Sequence, residues 1–184
     1  MLLSILRSYT NLPKNIHLLF LLEFSLSLIH VSFILILNIF LRKKGYSDPE
    51  IASFNSLRFI GALAFALPLG IYIRGKKLKP FFQVSALLVP ITSIMIIESI
   101  HFSIIPLIQL SFLLWGIGMM LMRVCSLPFI IRNTTDDNST EALSLSAATW
   151  SLSTIISGFL ITVLGQASKL KFINHLITFN EHII

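Results

Sequence analysis

Residues 16–41 read IHLLFLLEFSLSLIHVSFILILNIFL, a run in which a single carboxylate, Glu23, and no lysine or arginine interrupts the apolar side chains. As a helix the run extends about 39 Å, more than the hydrocarbon core of a bilayer, which about 20 apolar residues cross. The same reading extends to four more stretches, 51–73, 81–97, 102–131 and 142–165. The sequence therefore predicts an all-α, polytopic membrane helix bundle with five transmembrane helices. Residues 1–15 form a cytoplasmic amino-terminal segment, and residues 166–184 a tail that reads as the start of a sixth helix. No small-residue cleavage site precedes the first run, so it is expected to be retained rather than removed as a leader.

Composition agrees. Of 184 residues 55% are hydrophobic and 12% charged, against about 25% charged in a soluble domain, and the mean hydropathy is +0.86. The formal charge of +6 is concentrated in the gaps, as at Arg42-Lys43-Lys44 and from Arg74 to Lys79. The phenylalanines lie inside apolar runs, not among the basic residues, which argues against a nucleic-acid surface. Cys125 has no cysteine partner for a disulfide or a metal pair, and no histidine or cysteine spacing suggests a metal.

The gaps mark helix ends. Ser47 and Glu50 have capping-box spacing with Pro49 in the first turn, and Asn138 with Glu141 forms a weaker version. Short loops make sequential helices antiparallel neighbours. With the amino terminus inside, Arg7, Lys14, Arg74, Lys76, Lys77, Lys79 and Arg132 outnumber the outer Arg42, Lys43, Lys44, Lys169 and Lys171, so the positive-inside rule favours that orientation. The expected location is the cytoplasmic membrane of a bacterium. The sequons at Asn133 and Asn138 read as chance matches in a loop rich in Asn, Ser and Thr.

Polar residues at membrane depth are the candidates for function, because an ionisable group there costs about 3 kcal/mol or more unless it meets a cavity or a partner. Glu23, Ser27, His30 and Asn38 share an arc of roughly 80° on the first helix. Gln109, Gly116 and Arg123 share one of roughly 40° on the fourth. Arg58 lies within the second. Glu23 and Arg123 fall at similar inner depths, which predicts an ion pair lining a shared path; a structural pair or a snorkelling Arg123 is the plainer alternative. His30 is either a proton relay or a hydrogen-bonded packing residue. Ser153/Ser157 and Thr154/Gly158 are spaced to let helices approach closely. Trp115 and Trp150 lie away from the span ends and read as packing or cavity residues. No nucleophile with a base, paired acidic motif or phosphate-binding glycine loop is present, so the chain does not read as an enzyme, and no cofactor is implied.

In three places the chain resembles the amino-terminal half of a major facilitator superfamily transporter. Residues 41–51, LRKKGYSDPEI, resemble the outer loop leading into the second helix of that family. Leu67-Pro68-Leu69-Gly70 followed by Arg74-Gly75-Lys76-Lys77 resembles its basic loop between helices two and three. Gly116-Ile117-Gly118 through Pro128-Phe129-Ile130, then Glu141 and a serine-rich fifth helix closing on Gly158, resembles helices four and five. Tyr72 stands where the family's loop has aspartate, Pro68 where it has glycine, and Phe112 where the fourth helix has arginine. The resemblance implies secondary-active transport of a small solute by alternating access, in which two bundles rock about a central site. It also implies that this chain is a partial or half-size transporter needing a second half or self-association, with the lipid bilayer as its surroundings. Small anions, sugars and proton-coupled solutes stay open as substrates. The other reading is a small membrane-embedded partner or scaffold without transport of its own.

Overall fold

In a computed structural model of the chain, residues 12–135 and 138–181 are described, those from 167 onward by their backbone alone. Arg7, the Asp136-Asp137 loop pair and the side chains of the tail, among them Lys169 and Lys171, lie outside that description. Five helices follow one another: α1 Lys14–Lys43, α2 Asp48–Tyr72, α3 Lys79–His101, α4 Ile105–Asn133 and α5 Ser139–Glu181. All five are long and apolar enough to cross a membrane, which makes this a multi-pass integral membrane protein.

Helix starts and turns follow local chemistry. The Glu50 carboxylate accepts from the Ser47 backbone N–H at 2.8 Å and from its hydroxyl at 2.7 Å, closing the start of α2. Prolines at the first or second position open α2, α3 and α4, where no intrahelical N–H is lost. The α1–α2 and α2–α3 turns pass through Gly45 at φ 92° and Gly75 at φ 74°, and the α3–α4 turn through Ser103 at φ 56°. Asn138 accepts from the Thr135 N–H at 2.8 Å just before α5.

One boundary differs from the sequence reading. Helix α3 runs to His101, past the Ile97 expected from hydropathy, because Glu98, Ser99 and His101 lower the hydropathy of its last turn without breaking the helix. Helix α5 continues through Gly165 to Glu181. A lone glycine costs about 1 kcal/mol in a helix but leaves the hydrogen-bond ladder intact.

Helix α4 is the centre of the bundle, with α2 and α3 packed along it and α1 paired with α5. Half of its most apolar stretch is buried, 50% against 11% for α2 and α5. Lipid supplies little hydrophobic drive for helices to associate, so close backbone approach and hydrogen bonds do the joining. Small residues provide both. A Cβ on Gly116 would strike the Arg58 carbonyl oxygen, and one on Gly61 the Leu113 carbonyl oxygen, so α2 and α4 cross nearly backbone to backbone. The Ser85 hydroxyl on α3 donates to the Gly118 carbonyl on α4 at 2.8 Å. From α5, Ser153 and Ser157 donate to the α1 carbonyls of Phe24 and Leu28 at 3.3 and 3.1 Å. Around these contacts one apolar cluster gathers Leu41, Phe54, Ile96, Phe112 and Trp115, and a second Ile16, Leu19, Met122 and Ile130. Outward-facing Leu63, Leu67 and Ile71, each about three-quarters exposed, match a lipid surface, not water.

Candidate functional site

Residues of four helices, α1, α2, α4 and α5, line a partly open cavity of about 440 Å3. His30 and Ile34 enter from α1, Arg58 and Phe59 from α2, Met119, Met120 and Arg123 from α4, and Trp150 and Thr154 from α5. Arg58 is ten residues into α2, about 15 Å from its outer end at the helical rise. The Gly116–Arg58 contact sets that level on α4. Arg123 lies seven residues further along, on almost the same face of α4 and about 10 Å closer to its carboxyl-terminal end.

Aromatic rings hold both guanidiniums. Arg58 lies 4.5 Å from the Phe59 ring centroid and 5.5 Å from that of Trp115, and Arg123 lies 4.4 Å from that of Trp150. Such contacts contribute about 0.5–2 kcal/mol each, more where water is excluded. Trp115 is fully buried and also stacks on His30, centroid to centroid 4.9 Å. The polar atoms in this group lack partners: Arg58 Nη1, Trp115 Nε1 and His30 Nδ1 are buried and make no hydrogen bond. Among the described residues no carboxylate lines the cavity.

A second recess of about 320 Å3 adjoins it and shares Arg123 and Trp150 with it. Glu23 lies here, 1% exposed, and accepts a hydrogen bond from the Ser146 hydroxyl at 2.8 Å. Glu23 and Arg123 thus border one recess, as their matching depth suggests, but no ion pair joins them. The carboxylate is held by α5 and the guanidinium is held by Trp150.

The other sequence candidates separate. Ser27 is buried with its hydroxyl unpartnered and lines neither space. Asn38 accepts from Asn55 at 3.2 Å, near the Arg42–Asp48 ion pair of 3.0 Å, so it fastens α1 to α2 toward the outer side. Gln109 is exposed on the outer third of α4 and lines no cavity. In the α2–α3 turn, Gly75 supplies the left-handed residue. The Lys76 carbonyl accepts from Arg132 at 2.6 Å and its ammonium sits 3.1 Å from the Tyr72 ring centroid. Arg74, Lys77 and Gly70 are exposed, and Gly70 has nothing near its Cα that a side chain would meet. This turn fastens α2 to the end of α4 and lies away from the cavity.

Sequence reading missed Ser146, the partner of Glu23, which is one serine among many in a serine-rich helix. It also missed that Arg58, isolated on its own helix, belongs with Arg123. Among the described residues no three histidine, cysteine or acidic side chains converge as metal ligands do. The chain matches no family model, and neither a curated protein nor a solved structure matches it.

Proposed function

We propose that this chain is one bundle of a secondary-active transporter, moving a small solute by alternating access in the manner of the major facilitator superfamily. The observation that carries the reading is the partly open cavity lined by Arg58, Arg123 and His30, built by four helices within their apolar spans. Charged groups at that depth are costly and mark solute or ion paths. A site at the midplane between two bundles is what alternating access requires. The order of sequence features from the outer loop at 41–51 to Gly158 supports the same family. The open side of the cavity supports a second bundle, from another polypeptide or a second copy, closing it during function. A membrane-embedded scaffold is the competing reading, and it needs no solvent access to the cavity.

Site-directed labelling separates the two. With Cys125 replaced by serine and Thr154→Cys in the cavity wall, a membrane-impermeant maleimide is added to right-side-out and to inside-out vesicles. Transport predicts labelling from both faces. Labelling from neither face, or from one face alone, refutes alternating access and favours the scaffold. In mild detergent, a stable species near twice the 20.7 kDa chain mass is expected if the second bundle is another copy.

A further inference from the structure

The cavity's hydrogen-bonding inventory is one-sided. Two guanidiniums, Arg58 and Arg123, line a common space together with His30. Arg58 Nη1 and Trp115 Nε1 are buried donors without acceptors, and His30 Nδ1 is free to be a third. A carboxylate, Glu23, lies in the adjoining recess that Arg123 also borders; it accepts from Ser146 and makes no ion pair with either arginine. A buried donor left unmatched costs about 1–3 kcal/mol, and more when it is charged. A guanidinium at membrane depth without an ion pair, as at Arg58, raises that cost further. The aromatic rings on which the arginines rest provide π-electron density but no hydrogen-bond acceptor of carboxylate strength. The remaining wall, Ile34, Met119 and Met120, is apolar and flexible.

We infer that this cavity binds a small organic anion, a carboxylate with an apolar body, whose charged end is held between Arg58 and Arg123. Trp115 Nε1 and Arg58 Nη1 supply hydrogen bonds to its oxygens, while Met119, Met120 and Ile34 receive its apolar part. A guanidinium matches a carboxylate through two parallel N–H bonds, which a lysine in its place does not. A volume of about 440 Å3 is within the range of small-molecule pockets, about 300–1,000 Å3. The inference deepens the transport reading by naming the substrate class of the same site.

Trp115 and Trp150 are the chain's two tryptophans, and each has an arginine of the site on its ring. Their fluorescence therefore reports an anion that draws the guanidiniums away. The full chain is placed in phosphatidylcholine nanodiscs and titrated with cyclohexanecarboxylate and, separately, with the neutral cyclohexanecarboxamide. A saturable fluorescence change is expected with the carboxylate and none with the amide. Arg58→Gln and Arg123→Gln are each expected to weaken the carboxylate response at least tenfold, and Lys43→Gln, remote from the cavity, to leave it unchanged. An equal response to the amide, or no saturable response to either, overturns the inference on the native protein without reliance on any variant. Nanodiscs containing phosphatidylglycerol test the other source of negative charge. If that lipid alone produces the fluorescence change and the carboxylate does not displace it, the site belongs to lipid headgroups and the inference fails. Flux in proteoliposomes is read separately. Binding of the carboxylate without its movement refutes transport and leaves the anion site standing. Movement of the amide with no carboxylate binding refutes the anion site and leaves transport standing.

Discussion

Replacing Gly116 by alanine tests the crossing that brings Arg58 to the cavity. A Cβ at Gly116 would fall 2.8 Å from the carbonyl carbon and 2.9 Å from the Cα of Arg58, with its carbonyl oxygen closer still. Carbon atoms rest at about 3.5–4.0 Å, so α2 and α4 must part by about 1 Å at this level. The obstructing atoms are backbone and cannot rotate aside as a side chain does. Overpacking of this kind costs about 1–3 kcal/mol, and rigid obstruction places it near 3. Alanine returns about 1 kcal/mol through helix propensity. The expected net loss is about 2 kcal/mol. Gly158→Ala is the matched control, because nothing lies within 4 Å of the added methyl; it is expected to stabilise by up to about 1 kcal/mol. Unfolding in mixed micelles by increasing dodecyl sulfate, followed by tryptophan fluorescence, measures both. Gly116→Ala should also shift the folded-state emission, since moving Arg58 disturbs its contact with Trp115. A Gly116→Ala protein as stable as Gly158→Ala, with unchanged emission, refutes the backbone-to-backbone crossing.

Three further outcomes follow from local contacts. Ser146→Ala removes the hydrogen bond to the buried Glu23 carboxylate and should cost about 1–2 kcal/mol in the same unfolding assay; a cycle with Glu23→Gln that shows no coupling between the sites refutes the contact. Ser157→Ala should cost less than about 1 kcal/mol, since its bond to the Leu28 carbonyl is a modest one between helices. Ser157→Leu should cost about 1–3 kcal/mol by overpacking, and equal effects of the two would show that close approach of α1 and α5 is not what the serine provides. Ser103→Gly should stabilise the protein by about 0.5–1 kcal/mol, because φ 56° is disfavoured for any residue with a Cβ; a lower unfolding midpoint would refute the turn geometry.

Much of the fold is legible along the chain because its causes are local. Five apolar runs of spanning length, the Ser47–Glu50 capping pair, the prolines in first turns and the glycines at 45 and 75 fix where helices start, stop and reverse. Hydropathy alone misplaced the carboxyl-terminal end of α3, whose last turn is polar yet helical.

Depth and facing of the polar residues were also legible, since the helical rise and 100° per residue place Glu23, His30 and Arg123 without any partner. Those two coordinates say nothing about which helix stands opposite. That choice depends on how near two backbones can come and at what offset, and it is made by small residues meeting across an interface. Gly116 admits the Arg58 backbone and so brings an arginine from α2 to the face of α4 that carries Arg123. Ser153 and Ser157 seat α5 on α1, which puts Ser146 beside Glu23 and Trp150 beneath Arg123. The polar face of α1 is thereby divided, with Glu23 in the adjoining recess, His30 in the cavity and Asn38 fastened to Asn55. The sequence by itself determined a membrane bundle with charges at its middle depth. Tertiary packing decided that two of those charges, the arginines at 58 and 123, share one cavity whose lining includes no carboxylate, because that grouping exists only once separate helices touch.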